Sequence, residues 1–222
     1  MMQILHRILL KSEKQFFYRR PCSIFTSSHL LYNRILTMNE AELVACCKRK
    51  EPSAQAELYR RYSGEMFALC IRYAGNRDTA QDLLHDGFLK AFTSFDKFDY
   101  RGEGSLKAWL SRIMVNTALE EARKQAQHAD VDIDEAPDLA DPESCDDSLV
   151  QHLSPDTLLR FIAELPDGYR TVFNLFTFEN KSHREIAQLL HINEKSSSSQ
   201  LYRARTLLMN RIKTYLSKHG DE

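Results

Sequence analysis

Between Asn39 and about Gln127 the apolar residues recur at steps of three and four. Leu58, Tyr62, Met66, Leu69 and Tyr73 make one stripe, the spacing of a helix with a single buried face. Gly75-Asn76 breaks the pattern, and Asp78 or Thr79 stands where a helix cap belongs. Ala80, Leu84, Phe88, Ala91 and Phe92 make a second stripe. The segment FDKFDYRGEGS then predicts a turn region broken by Gly102 and Gly104. A third helix is expected from near Ser105, with Leu106, Trp109, Leu110, Ile113, Met114 and Thr117 inward and Trp109 anchoring the core. Three such stripes can close a small bundle on their own.

Periodicity fades across residues 128–153, which contain Pro137 and Pro142 and read as a linker. Ser154-Pro155 then opens a helix carrying Leu158, Leu159, Ile162 and Leu165, which Pro166 ends. A short helix over 167–178 turns Val172, Phe173, Leu175 and Phe176 inward. Ser182 and Glu185 fit a capping box in front of HREIAQLL, with Ile186, Ala187 and Leu190 inward. The turn is His191-Ile192-Asn193, and a last helix runs from about Lys195 to Leu216. Its inner positions are Ser197, Leu201, Ala204 and Leu208, and its outer face carries Lys195, Ser198, Ser199, Tyr202 and Arg203.

Together these two helices have the form of a helix-turn-helix, whose second helix puts its N-terminal side chains against base edges in the major groove. Serine hydroxyls can bond several bases, and Lys195, Arg203 and Arg205 suit phosphates or guanine. Two positions strain the pattern. His191 stands where glycine is common, and Ser197 stands where a branched apolar side chain would pack better. On these residues alone, a helical hairpin with a solvated outer face explains the pattern equally well.

Composition narrows the picture. With 7 glycines and 6 prolines in 222 residues and no alternating strand pattern, the chain is expected to be all-α. The domains are two small helical ones, 38–127 and 154–218, joined by the acidic flexible linker 128–153. No apolar run approaches the ~18 residues of a membrane span, so no membrane insertion is expected. The net charge of −1 hides a segregation. Residues 129–150 hold 9 acids and no base, so the remainder is net basic, as nucleic-acid binders usually are. The five cysteines form no CxxC pair and no metal spacing, which fits a reducing cytosol, and Cys47 and Cys70 are expected to be buried. No phosphate loop, metal cluster or nucleophile motif is present, so neither a cofactor nor an enzymatic activity is expected. Residues 1–37 carry 6 basic residues against 1 acid and resemble a transit peptide superficially. They are read as a non-native or disordered extension, with translation normally starting at Met38; a basic arm touching nucleic acid or membrane is the functional alternative.

The order LPDGYRTVFNLFTFENKSHREIAQLLHINEKSSSSQLYRARTLL closely resembles region 4 of the extracytoplasmic-function (ECF) group of bacterial sigma factors. RDTAQDLLHDGFLKAF resembles the same family's region 2.2, and FDKFDYRGEGSLKAWLSRIMVNTALEEARK resembles its regions 2.3 and 2.4. The resemblance spans about Leu43 to Ile212. It implies a cytoplasmic transcription initiation factor whose partners are core RNA polymerase (the β′ clamp helices and β flap), promoter DNA and an anti-sigma factor. By resemblance, Asp82, His85 and Asp86 face the polymerase clamp, although the family often has Gln and Glu at the last two positions. Lys107, Arg112, Asn116 and Arg123 would contact the −10 element, and Phe98, Tyr100 and Arg101 lie in the loop that forms the family's pocket for a flipped base. Lys195, Ser198, Ser199, Tyr202 and Arg203 would read the −35 element. The acidic linker is either a spacer kept extended by self-repulsion or a strand threading the polymerase cleft. A stand-alone helix-turn-helix regulator remains the rival reading, and a metal enzyme built on the acidic stretch is a weaker one.

Overall fold

The computed structural model describes residues 38–128 and 153–219. The extension, the acidic linker and the readings attached to them lie outside the described residues. Eight α-helices and no strand occur among the described residues. They are α1 (Glu40–Lys48), α2 (Pro52–Ala74), α3 (Arg77–Ser94), α4 (Ser105–His128), α5 (Pro155–Ala163), α6 (Asp167–Thr177), α7 (His183–Leu190) and α8 (Glu194–His219).

The apolar stripes read from the sequence are the buried faces of α2, α3 and α4. Leu58, Met66, Leu69 and Tyr73 of α2 meet Ala80, Leu84, Phe88 and Ala91 of α3 and Leu106, Leu110 and Met114 of α4. The bundle has a fourth member that the stripes did not predict. α1 buries Leu43, Val44, Cys46 and Cys47, and starts with a capping box between Asn39 and Glu42. The cap of α3 is Asn76, whose side chain accepts from the Thr79 amide, rather than Asp78 or Thr79. Cys47 and Cys70 are buried free thiols, each pushed up to about 12, chiefly by burial.

α3 and α4 approach closely at Gly87. A Cβ there would lie 2.1 Å from Met114 Sδ, so any larger residue would force the Met114 side chain to move. Trp109 is not in the deep core as expected. It is half-buried, with its ring 5.1 Å from Phe95 and 4.7 Å from Phe98, because the 3₁₀ turn Phe95–Lys97 fills the space beneath it.

The second half packs α5 and α6 against α8, with Leu158, Ile162, Val172 and Phe173 opposite Leu201, Leu208 and Ile212 in one buried cluster. That cluster continues into the first half, because α5 and α6 also pack on α2. The seam is polar at its centre. The last four carbonyls of a helix have no intrahelical donor, and at the end of α2 the Gly75 amide, in a left-handed conformation at φ 77°, takes only that of Ile71. Asn174 Nδ2 donates to Arg72 O at 2.8 Å, and Arg170 donates to Tyr73 O at 2.8 Å and Ala74 O at 3.2 Å. The second half thus caps the first. A Cβ at Gly75 would come within 2.5 Å of Arg170 Nη1, so glycine is required there twice over.

Candidate protein and nucleic-acid interfaces

Three surfaces hold the residues singled out from the sequence. The first is the outer side of α3. Asp82, His85 and Asp86 are all exposed, on the side opposite the buried Leu83, Leu84, Gly87 and Phe88. Sequence reasoning missed a fourth member. Leu89, one turn beyond His85 and Asp86, is 59% exposed, the largest exposure of any big apolar residue among those described. Tyr59 of α2, 38% exposed, lies beside it with its ring tilted 54° against that of Phe88 at 4.8 Å. An acidic helix face that ends in an uncovered leucine suits a protein partner, where burial of an apolar anchor supplies affinity and charge supplies orientation. The signal was in the sequence: Leu89 breaks the inward spacing of its helix.

The second surface is α4 and the loop before it. At 3.6 residues per turn, Arg112, Asn116 and Arg123 share one face, opposite Leu106, Leu110 and Met114. Arg112 and Asn116 are exposed, as a nucleic-acid surface requires. Arg123 is half-buried, its Nε and Nη2 donating to Leu189 O at 3.0 and 2.5 Å. Lys107 is turned away from these three and sits 2.7 Å from Glu65 of α2. The grouping of four on one face is therefore corrected to three, because the step from 107 to 112 is not helical. Phe98 is likewise corrected: it is 5% exposed and packed on Phe95 and Trp109, so it supports the loop from beneath. Tyr100 is half-buried and Arg101 exposed, which leaves these two as the outward groups of the loop.

That loop is positioned from the first turn of α1. Glu40 accepts from Gly104 N at 3.0 Å, Leu106 N at 3.1 Å and Tyr62 Oη at 3.4 Å. Its carboxylate therefore meets the unpaired amides, and the positive dipole end, where α4 begins. Glu40→Ala is expected to cost about 1–2 kcal/mol and to speed amide exchange at Gly104 and Leu106 selectively. Uniform exchange across α4 would show that Glu40 does not hold this end.

The third surface is the helix-turn-helix, α7 and α8. The capping box is present, Glu185 accepting from Ser182 N at 2.9 Å and Ser182 Oγ from Glu185 N at 3.3 Å. The Ser182 and Lys181 bonds hold the Glu185 carboxyl down at about 2. His191 fills the glycine-like place with φ 55°, a conformation histidine adopts more readily than most residues. Ser197 is fully buried, and its Oγ lies 3.0 Å from His183 Nδ1, so a hydrogen bond between α7 and α8 replaces the apolar contact expected there. The His183 ring stacks on Phe176 at 4.9 Å, and burial first, then the Arg205 charge, holds its pKa below the usual 6.5. Asn193 Oδ1 accepts from Ser196 N at 2.6 Å and starts α8. Outward from this start, Lys195 and Ser198 are exposed and Ser199 and Tyr202 half-exposed. Arg203 is half-buried, Nη1 donating to Tyr169 Oη at 3.0 Å.

Among the described residues no helix is long and apolar enough to cross a membrane, and no group of three His, Cys, Asp or Glu is placed to hold a metal ion.

Comparison with known proteins matches two family profiles to the chain, in order. "Sigma-70 region 2" covers residues 58–128 and "Sigma-70, region 4" covers residues 155–208. The chain is 27% identical over 175 residues to the ECF RNA polymerase sigma factor SigW of Bacillus subtilis, covering 75% of this chain and 92% of that one. It is 26% identical over 184 residues to the ECF RNA polymerase sigma-E factor of Haemophilus influenzae, covering 79% and 96%. Against the RNA polymerase sigma factor YlaC of Bacillus subtilis it is 29% identical over 153 residues, covering 67% and 86%.

Proposed function

Because the chain belongs to the sigma-70 family, in its extracytoplasmic-function group, we propose that its three surfaces divide the work of promoter recognition among them. The protein is a sigma factor that binds core RNA polymerase and directs promoter recognition, −10 melting and transcription initiation. In the proposed division, Asp82, His85, Asp86 and Leu89 of α3 meet the β′ clamp helices, and region 4 meets the β flap. Arg112, Asn116 and Arg123, with Tyr100 and Arg101, hold the −10 strand, where an amide can pair with a base edge and guanidinium groups with phosphate. Lys195, Ser198, Ser199, Tyr202 and Arg203 face the −35 duplex. The protein directs the polymerase's chemistry in the cytoplasm and performs none itself, and an anti-sigma factor restrains it. The carrying observation is that an outward acidic face ending in Leu89 and an outward basic face with Asn116 stand on adjacent helices of one bundle.

Transcription with core enzyme on a fragment library, with start sites mapped, tests the reading. Starts sharing one −10 and −35 pattern support it. Binding to DNA without any polymerase dependence would favour the stand-alone regulator. Within the −35 face, Ser198→Ala is expected to alter sequence preference. Arg203→Ala should weaken binding on all sequences and flatten the salt dependence by about one charge. Tyr169→Phe, which removes only the hydroxyl that positions Arg203, should have a smaller effect. If all three merely unfold region 4, the face is misassigned.

A further inference from the structure

We propose that His183 is a positioning residue for the −35 recognition helix: it pins α8 to α7 through the buried hydroxyl of Ser197, and a proton on its ring releases the pin and weakens −35 recognition. The inference rests on the assignment of α8 to the −35 duplex. It starts from a polar side chain in an apolar row. The inward residues of α8 after Ser197 are Leu201, Ala204 and Leu208, and Ser197 is buried as fully as they are. An apolar group would fill that place without needing a partner, whereas a buried hydroxyl has to be hydrogen-bonded. Thr206 and Thr214 of the same helix turn their hydroxyls back onto carbonyls four residues earlier. Ser197 instead reaches out of its helix, and among the described residues its Oγ bonds to His183 Nδ1 alone, at 3.0 Å.

That pairing sets the state of the ring. The Ser197 hydrogen needs an acceptor, and Nδ1 accepts only in a neutral imidazole whose proton sits on Nε2. A second proton makes Nδ1 a donor and leaves the serine hydrogen in the core with nowhere to go. The neighbours oppose that second proton. His183 stacks on Phe176 at 4.9 Å, and the Arg205 guanidinium lies 5.5 Å from the centroid of the same Phe176 ring. The aromatic group that would stabilise an imidazolium already serves one cation, which repels another. Burial, and then the Arg205 charge, hold the His183 ring below the usual 6.5, while Glu194 pulls the other way. Glu194 is exposed and screened by water, so it loses the contest. From α6 the ring meets Phe176, which carries no charge, and on α7 the Glu185 carboxylate is taken by Ser182 and Lys181. A histidine with a depressed folded pKa contributes stability that is complete above 6.5 and is lost as pH falls from there through the folded value. What the pin holds in place is the first turn of α8, where Lys195, Ser198 and Ser199 flank Ser197.

Holoenzyme made from the full chain and core RNA polymerase is titrated with a mapped promoter fragment and with the same fragment carrying a scrambled −35 element. The ratio of the two affinities separates −35 recognition from contacts at −10. In the wild type this ratio should fall about fivefold between about pH 7.5 and about pH 5.5, the loss of one ordinary hydrogen bond. His183→Asn places an oxygen at the reach of Nδ1 and takes up no proton, so its ratio should stay flat. Ser197→Ala has no hydroxyl to strand, and its ratio should be low already at neutral pH and equally flat. A wild-type ratio above one that ignores pH overturns the proposal. So does a His183→Asn ratio that falls as the wild type's does, which would move the titration to His191 in the exposed turn. Should either variant fail to fold by circular dichroism, the wild-type ratio and an NMR titration of the full chain decide. The Ser198 and Ser199 amide shifts should follow the midpoint of the His183 ring, and shifts that ignore it sink the pin. Should core polymerase bind no form, or scrambling the −35 element change nothing, the assignment of α8 falls, and the same NMR titration still decides the pin.

Discussion

Asp82→Arg combined with Asp86→Arg is expected to abolish retention by core RNA polymerase, with at least about a hundredfold loss of affinity. Both carboxylates are exposed and one turn apart on α3, so reversing them changes the local charge by four without touching a buried contact. Like charges brought together at an interface cost several kcal/mol, and each 1.4 kcal/mol is tenfold. The fold should be indifferent, since exposed substitutions away from caps and cores usually stay within about 0.5 kcal/mol. An unchanged thermal midpoint with lost pull-down is therefore the expected pair of observations. Leu89→Asp should lose polymerase by a separate route, because an apolar group that is 59% exposed offers anchor area that a carboxylate cannot. Full retention by the double variant would remove α3 from the polymerase interface.

Arg170→Met should be the most destabilising single change in the chain's second half. The guanidinium is 5% exposed and donates to Tyr73 O, Ala74 O, Ala163 O and Leu165 O, with Asp167 Oδ1 2.5 Å away at the surface. Methionine has a comparable stem and no donors, so four carbonyls at two helix ends lose their partner at once. Breaking a buried charged network of this kind costs about 3–5 kcal/mol, or roughly 10 °C in thermal midpoint for a protein of this size. Arg170→Lys should recover only part of it, since one ammonium cannot reach carbonyls arranged around a planar fork. Calorimetry checks both. A loss below about 1 kcal/mol would mean that water replaces the guanidinium at little cost.

Arg170 also marks where sequence reading stops. Its place in LPDGYR announces a family motif, but two of the carbonyls it binds are 96 and 97 residues away, and no local pattern encodes such a bond. Local signals were legible in proportion to their range. The stripe of α2 gave its buried face because helical spacing is set by neighbours, and the Ser182–Glu185 box forms within one turn. Lys107 misled because shared charge suggested a shared face, whereas the five-residue step to Arg112 turns it toward Glu65. Phe98 misled because an aromatic in a loop can either stack a base or fill the space under Trp109, and only packing distinguishes them. Ser197 was read correctly as inward, but what satisfies it, His183, required the angle between α7 and α8.

Gly87 gives the two working faces of the first half a common ruler. α3 and α4 touch through its missing side chain, with Met114 Sδ occupying the place a methyl would take. The acids of α3 and Asn116 of α4 point outward from helices thus pressed together, so the offset between the two faces depends on how closely the helices pack at Gly87. A larger residue at 87 would leave the outward side chains of both helices intact while displacing Met114 from the contact between them. Either face can therefore change residue by residue without disturbing the other, so long as the contact between Gly87 and Met114 stays close.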